Sequence, residues 1–140
     1  MSDVEPDPEV LELAAKVFGL ARSGETAALA AYVDGGVPVN LTNDRGDTLV
    51  MLAAYHGHAD TVAALLKRGA DPNRFNDHGQ GPLAGAVFKN EPDVIKALVA
   101  AGADPAAGQP SAVDAARMFG NTELLTLLQP SRGEPDTQPS

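Results

Sequence analysis

In "YHGHAD", residues 55–60, two imidazoles and a carboxylate, His56, His58 and Asp60, fall at alternate positions. These side chains are ligands for zinc and similar divalent ions, and a metal-bound water is a strong nucleophile at neutral pH. The chemistry on offer is therefore metal-dependent hydrolysis. A hydrolytic metal site also needs further ligands supplied from elsewhere in the chain. Here His78 is the one histidine left. Cysteine is absent, which removes thiolate zinc sites, disulfides and cysteine nucleophiles. A metal-dependent hydrolase stays as the remote alternative, with no metal ligand assigned.

Other reactive patterns fare no better. "GQGPLAG" (79–85) is glycine-rich, but its spacing does not match a dinucleotide fingerprint and it follows no strand. No glycine-lysine-serine/threonine phosphate loop occurs. Ser111 has no histidine nearby in sequence or in the repeat frame described below. Asp3, Glu5 and Asp7 read as a solvated face that starts a helix. No catalytic residue and no cofactor is assigned, and the chain is not expected to be an enzyme. Lys and Arg number 10 against 19 Asp and Glu, giving a net charge of −9. That balance opposes nucleic acid and anionic lipid, which demand clustered cations. "MSDVEPDPEV" at the start is acidic and lacks the apolar core of a secretory signal, and no apolar run reaches membrane-span length. A cytoplasmic monomer that contacts neither nucleic acid nor membrane is the expectation.

The elements that must position these residues come from a repeat. Shifted by 33 residues, "NDRGDTLVMLAAYHGHADTVAALLKRGADPNRF" (43–75) overlays "NDHGQGPLAGAVFKNEPDVIKALVAAGADPAAG" (76–108), with 11 identities that include Gly46, Ala53, Asp60, Leu65 and Gly69-Ala70-Asp71-Pro72. One period earlier Gly24, Gly36 and Asn40 match Gly57, Gly69 and Asn73. One period later Gly120 matches Gly57 after a three-residue deletion. Four units result, at about 9–42, 43–75, 76–108 and 109–129, between an N-terminal lead (1–8) and a Pro/Ser-rich tail (130–140) read as disordered. Within a unit, Val50, Ala53 and Ala54, then Val62, Leu65 and Leu66, keep three-to-four spacing, so each unit is two short helices. Gly57 supplies the turn between them. Asp7 and Pro8 start the first helix as N-cap and first helical residue, and Ser111 with Asp114 is a weaker capping box. One such pair cannot bury its apolar face alone; stacked pairs share a continuous core.

The pieces Gly46…Ala53-Ala54…Gly57-His58…Leu65-Leu66…Gly69-Ala70-Asp71-Pro72-Asn73 resemble an ankyrin repeat protein, over roughly residues 9–129. The resemblance implies an all-α solenoid of about four helix-turn-helix units with short hairpin-like fingers. The family's Thr-Pro-Leu-His tetrapeptide reads Thr48-Leu49-Val50-Met51, Gly81-Pro82-Leu83-Ala84 and Ser111-Ala112-Val113-Asp114, so its threonine–histidine hydrogen bonding is expected to be missing. In this frame His58 falls on the family's Gly-His turn. The resemblance of residues 56–60 to the H-x-H-x-D core of metallo-β-lactamase-fold hydrolases would need a β-rich sandwich, for which the chain offers almost no strands.

The resemblance also implies a non-catalytic protein-binding scaffold, an adaptor or inhibitor that docks one partner protein in a concave groove. Self-association is the alternative. Transferred position by position, the groove would take Arg22, Tyr55, Phe88 and Met118 from first-helix ends, with His56, Lys89 and Phe119 beside them. The fingers would add Arg45, Asp47, Phe75, His78 and Gln80. Of six aromatic residues, Tyr55, Phe75, Phe88 and Phe119 land on these positions. A core of Ala, Leu and Val has no need of rings at its rim, and exposed rings in a row mark contact surfaces. The competing reading is that such rings fold over neighbouring repeats.

Overall fold

The computed structural model describes residues 8–108 and 110–128. The expected N-cap Asp7 and the tail 130–140 lie outside these residues. Eight helices follow in pairs: α1 (Pro8–Ser23) with α2 (Thr26–Asp34), α3 (Leu49–Tyr55) with α4 (Ala59–Lys67), α5 (Pro82–Phe88) with α6 (Pro92–Ala100), and α7 (Ala112–Met118) with α8 (Thr122–Leu128). First helices pack on first helices (α1, α3, α5, α7) and second helices on second helices (α2, α4, α6, α8). Two layers thus stack into a solenoid, as the 33-residue period requires. No extended strand forms among the described residues; the fingers close through isolated bridges, Thr42 to Thr48 and Gly108 to Ser111.

Short helices need good ends, because few of their backbone groups are satisfied internally. Thr48 caps α3, its hydroxyl accepting from the Met51 amide at 3.2 Å, and is itself buried. Ser111 caps α7 in the same way, accepting from Asp114 at 3.1 Å. The expectation of a lost threonine–histidine bond is therefore half corrected. The histidine is gone, but the threonine keeps its capping bond, which is worth about 1 kcal/mol. α5 has Gly81 at the cap position and no side-chain cap; Pro82 at the first turn pre-sets its φ. The turn between the helices of each unit is left-handed: φ is 73° at Gly24, 78° at Gly57, 63° at Gly120 and 55° at Asn90, the substitute in unit three. Asparagine is among the few side chains that visit this region.

The core is one cluster running the length of the stack. Val17, Leu29, Leu49, Val50, Val62, Leu65, Val87, Ile95, Leu98 and Leu128 are fully buried in it. Ala53, Ala54, Ala86, Ala115 and Ala116 are completely covered and let the first helices approach closely. Phe18 is buried as well. Tyr32 is not, although its repeat position is the one Leu65 fills. It is partly exposed, with Lys16 Nζ 5.9 Å from its ring centre. The opening turns of α1 expose Val10, Leu11 and Leu13 as well.

Polar side chains lock the units together. Asn40 Oδ1 accepts from the Asp71 amide at 2.8 Å, and one unit on Asn73 Oδ1 accepts from Asp104 at 2.7 Å. Arg68 binds both carboxylate oxygens of Asp34, at 2.9 and 3.2 Å. The fingers are braced too. Asn43 Oδ1 accepts from Arg45 and Asp47 amides, and Asn76 Oδ1 from His78 and Gln80 amides. Asp77 N–H donates to the Arg45 carbonyl at 3.0 Å, and Asn76 Nδ2 to Asp47 Oδ1 at 2.9 Å. The finger side of the groove is a hydrogen-bonded unit rather than a set of free loops.

Candidate binding groove

Between the two inner fingers and the first helices lies a cavity of about 500 Å³, lined by Arg22, Asn43, Arg45, Asp47, Met51, Leu52, Tyr55, His56, Asn76, His78 and Gln80. A second, of about 360 Å³, adjoins it and shares Met51, Tyr55 and Gln80; Ala84, Gly85, Phe88, Lys89 and Pro110 complete its wall. Nine of the twelve residues expected in the groove from sequence line one or other cavity: Arg22, Arg45, Asp47, Tyr55, His56, His78, Gln80, Phe88 and Lys89. The rings stand out from the core, with Tyr55 46% exposed, Phe88 40% and Phe119 55%.

The first-helix ends are linked diagonally from unit to unit. Lys89 Nζ sits 5.0 Å from the centre of the Tyr55 ring, within cation–π reach. Phe88 meets Phe119 edge-to-face at 5.6 Å between centroids. The last residue of one first helix thus touches the residue after the next one. Phe119 extends the apolar row beyond the two cavities; Met118, 70% exposed, lines neither of them.

Phe75 is placed differently. Its ring lies against Gly81 and Gly108, 3.0 Å and 3.3 Å from where a Cβ would stand on each, and it lines neither cavity. It fills the room that glycine leaves where Thr48 and Ser111 sit in the flanking units. The sequence reading missed the floor: Met51, Leu52, Ala84 and Gly85. The signal was there, since Met51 precedes Tyr55 and Ala84 precedes Phe88 by four residues, on one helix face.

His58 does not join the groove. Its Nε2 lies 2.7 Å from the Arg22 carbonyl oxygen, across the junction between units one and two. A carbonyl only accepts, so Nε2 carries the proton. The ring lies flat on Gly24, with atoms 2.5–2.9 Å from where a Cβ would be. Among the described residues no group of three or more His, Asp and Glu side chains converges as metal ligands. His56 lies beside it, the two rings stacked at 6.5 Å. Burial, then the charges of His58, Lys89 and Arg22, hold the His56 imidazole below its ordinary pKa. The groove edge is therefore a place where positive charge already crowds.

A family profile described as ankyrin repeats, in three copies, matches residues 11–109. The chain belongs to the ankyrin repeat family. The fourth helix pair, α7 and α8, lies beyond the matched span. The chain is also similar to an ankyrin repeat protein of Pseudomonas aeruginosa, 49% identical over 57 residues. That similarity takes in 41% of this chain and 33% of the relative, so the chain spans about a third of the relative it matches. The ankyrin repeats mark a protein–protein interaction module. None of the described helices is long and apolar enough to cross a membrane.

Proposed function

We propose that this ankyrin chain is a non-catalytic adaptor or inhibitor that docks one partner protein in the groove between its inner fingers and first helices. The observation that carries the reading is the row of exposed rings, Tyr55, Phe88 and Phe119, standing over two joined cavities with Arg22, Arg45 and Lys89 at their edges. Aromatic anchors beside pockets and a charged rim are the anatomy of a protein interface. Rigid presentation is supported by the braced fingers: little ordering is needed when a partner arrives.

The test is capture from the source lysate by wild type and by a Tyr55→Ser/Phe88→Ser double variant, once both show the same helical spectrum and melting curve. A protein held only by wild type supports the groove. Equal capture by both moves the site elsewhere and overturns it. Self-association is the second reading, favoured by Val10, Leu11 and Leu13 on the outer end of α1; sedimentation at rising concentration decides it, a persistent monomer removing it.

A further inference from the structure

We infer that the groove's partner offers a short acidic segment, with an apolar side chain seated between Tyr55 and Phe88 and carboxylates held by Arg22, Arg45 and Lys89. The inference rests on the groove reading above and adds the chemistry of the occupant. It begins from a mismatch of charge. The chain carries −9 overall, yet the two cavities are lined by three permanent cations, Arg22, Arg45 and Lys89, and a single carboxylate, Asp47. Asp47 is already engaged, accepting from Asn76 Nδ2 at 2.9 Å and from Asn43 Nδ2 at 3.5 Å. Among the described residues the one ion pair is Arg68 with Asp34, away from the groove.

The backbones that carry these cations are fixed. The Arg22 carbonyl is held by His58 Nε2 at 2.7 Å and the Arg45 carbonyl by the Asp77 amide at 3.0 Å. Two guanidinium groups and an ammonium are thus presented from three different units around two joined cavities whose one carboxylate, Asp47, is taken up by Asn76 and Asn43. Anion binding there removes mutual repulsion that the free protein tolerates, and guanidinium forks match carboxylates geometrically. His56 lies among the same charges, with His78 on the finger opposite. The second cavity is of another kind. Met51, Tyr55, Ala84, Gly85 and Phe88 make its wall apolar, and Gly85 leaves its floor open, with only Tyr55 Cδ1 at 3.4 Å from where a Cβ would stand.

The acidic balance of the rest of the chain argues for a peptide over a nucleic acid. Asp44 and Asp77 are exposed on the fingers flanking the groove, and a phosphate polymer leaving the groove would run into them and the surrounding negative field. A short segment ends before it meets that field.

The experiment is selection of displayed random dodecapeptides on the immobilised full chain. Enrichment of Asp and Glu next to an apolar residue is expected. The best peptide should weaken with added salt and lose about tenfold in affinity against Arg22→Gln/Lys89→Gln, which is about 1.4 kcal/mol. An Arg22→Glu/Lys89→Glu variant should cease to select acidic peptides; the neutral pair serves if the reversed pair melts early. Neutral or basic peptides selected by wild type, and lost on Tyr55→Ser/Phe88→Ser, would overturn the acidic inference and leave the groove standing. Peptides indifferent to that aromatic pair, or no selection at all, would overturn both. Preference for a labelled oligothymidylate over every acidic peptide would overturn it in favour of nucleic acid.

Discussion

In the second unit the turn between α3 and α4 sets His58 against Gly24 of the preceding unit; in the third, the turn between α5 and α6 sets Glu91 against Gly57. The backbones match, with φ of 78° at Gly57 and 55° at Asn90. The side chains differ in what they can give. His58 donates from Nε2 to the carbonyl at the end of the first helix behind it, at 2.7 Å. The Glu91 carboxylate accepts hydrogen bonds and does not donate them. Its carboxyl atoms stand 2.7–2.8 Å from where a Cβ at Gly57 would be, close packing without a bond that ties the units. The same turn is thus a latch in one unit and a filler in the next. Repeats are kept by their shape, and the polar link between neighbours is an addition that a unit can lose.

The largest effect should come from closing the space under the latch. Alanine at Gly24 has to hold φ near 73° and its methyl would meet a rigid ring. We expect Gly24→Ala to cost about 2–3 kcal/mol, combining left-handed strain with a broken hydrogen bond. Gly57→Ala carries similar strain, but the flexible Glu91 carboxylate can swing aside, so about 1–2 kcal/mol is expected. Chemical denaturation of the two variants checks the order. Equal losses would mean that the His58 ring is no firmer a neighbour than Glu91.

Next is the latch itself. His58→Ala should destabilise by about 1 kcal/mol, since the bond it removes is partly open to solvent. The reciprocal change is more informative. Glu91→His supplies the missing donor to unit three and should stabilise by about 0.5–1 kcal/mol, read as a rise in the denaturation midpoint with unchanged slope. A neutral or unfavourable result would break the comparison, by showing that the bond at His58 depends on more than the residue at that position.

Most of the architecture could be read from the residues, because the 33-residue period repeats the whole pattern of turns, small residues and apolar faces. Helix pairing, the glycine turns and the substitution of Asn90 follow from periodicity and backbone sterics alone. The groove rim came from the ankyrin resemblance, transferred position by position along the repeat, and nine of its twelve residues line the cavities. What stayed hidden depends on side-chain reach. No spacing rule says that Phe75 drops into the space of a missing threonine at Gly81. The end unit also departs from its frame. Tyr32 occupies a core position in sequence yet stays partly exposed, beside Lys16. Thr48 kept its cap although its motif was broken, since capping needs only the hydroxyl and a free amide three residues on.

The smallest expected effect concerns proton binding beside the latch. His56 precedes the turn in unit two, where unit three has Lys89, so an imidazole titrates at one junction and not at the other. Burial is the main cause that lowers the His56 pKa from 6.5, followed by the charges of His58, Lys89 and Arg22. Arg45, Asp47 and His78 face it from the fingers across the larger cavity. Between the lowered native pKa and 6.5 the unfolded chain holds more protons at this site than the folded one, so stability rises with pH through that window. The contribution is fully present above pH 6.5 and is lost as pH falls through the native pKa. His56→Gln removes the titrating group and should flatten that part of the pH profile. Denaturation midpoints of wild type and variant from neutral to mildly acidic pH give the difference directly. Parallel profiles would show that folding leaves His56 no harder to protonate than it is in the unfolded chain.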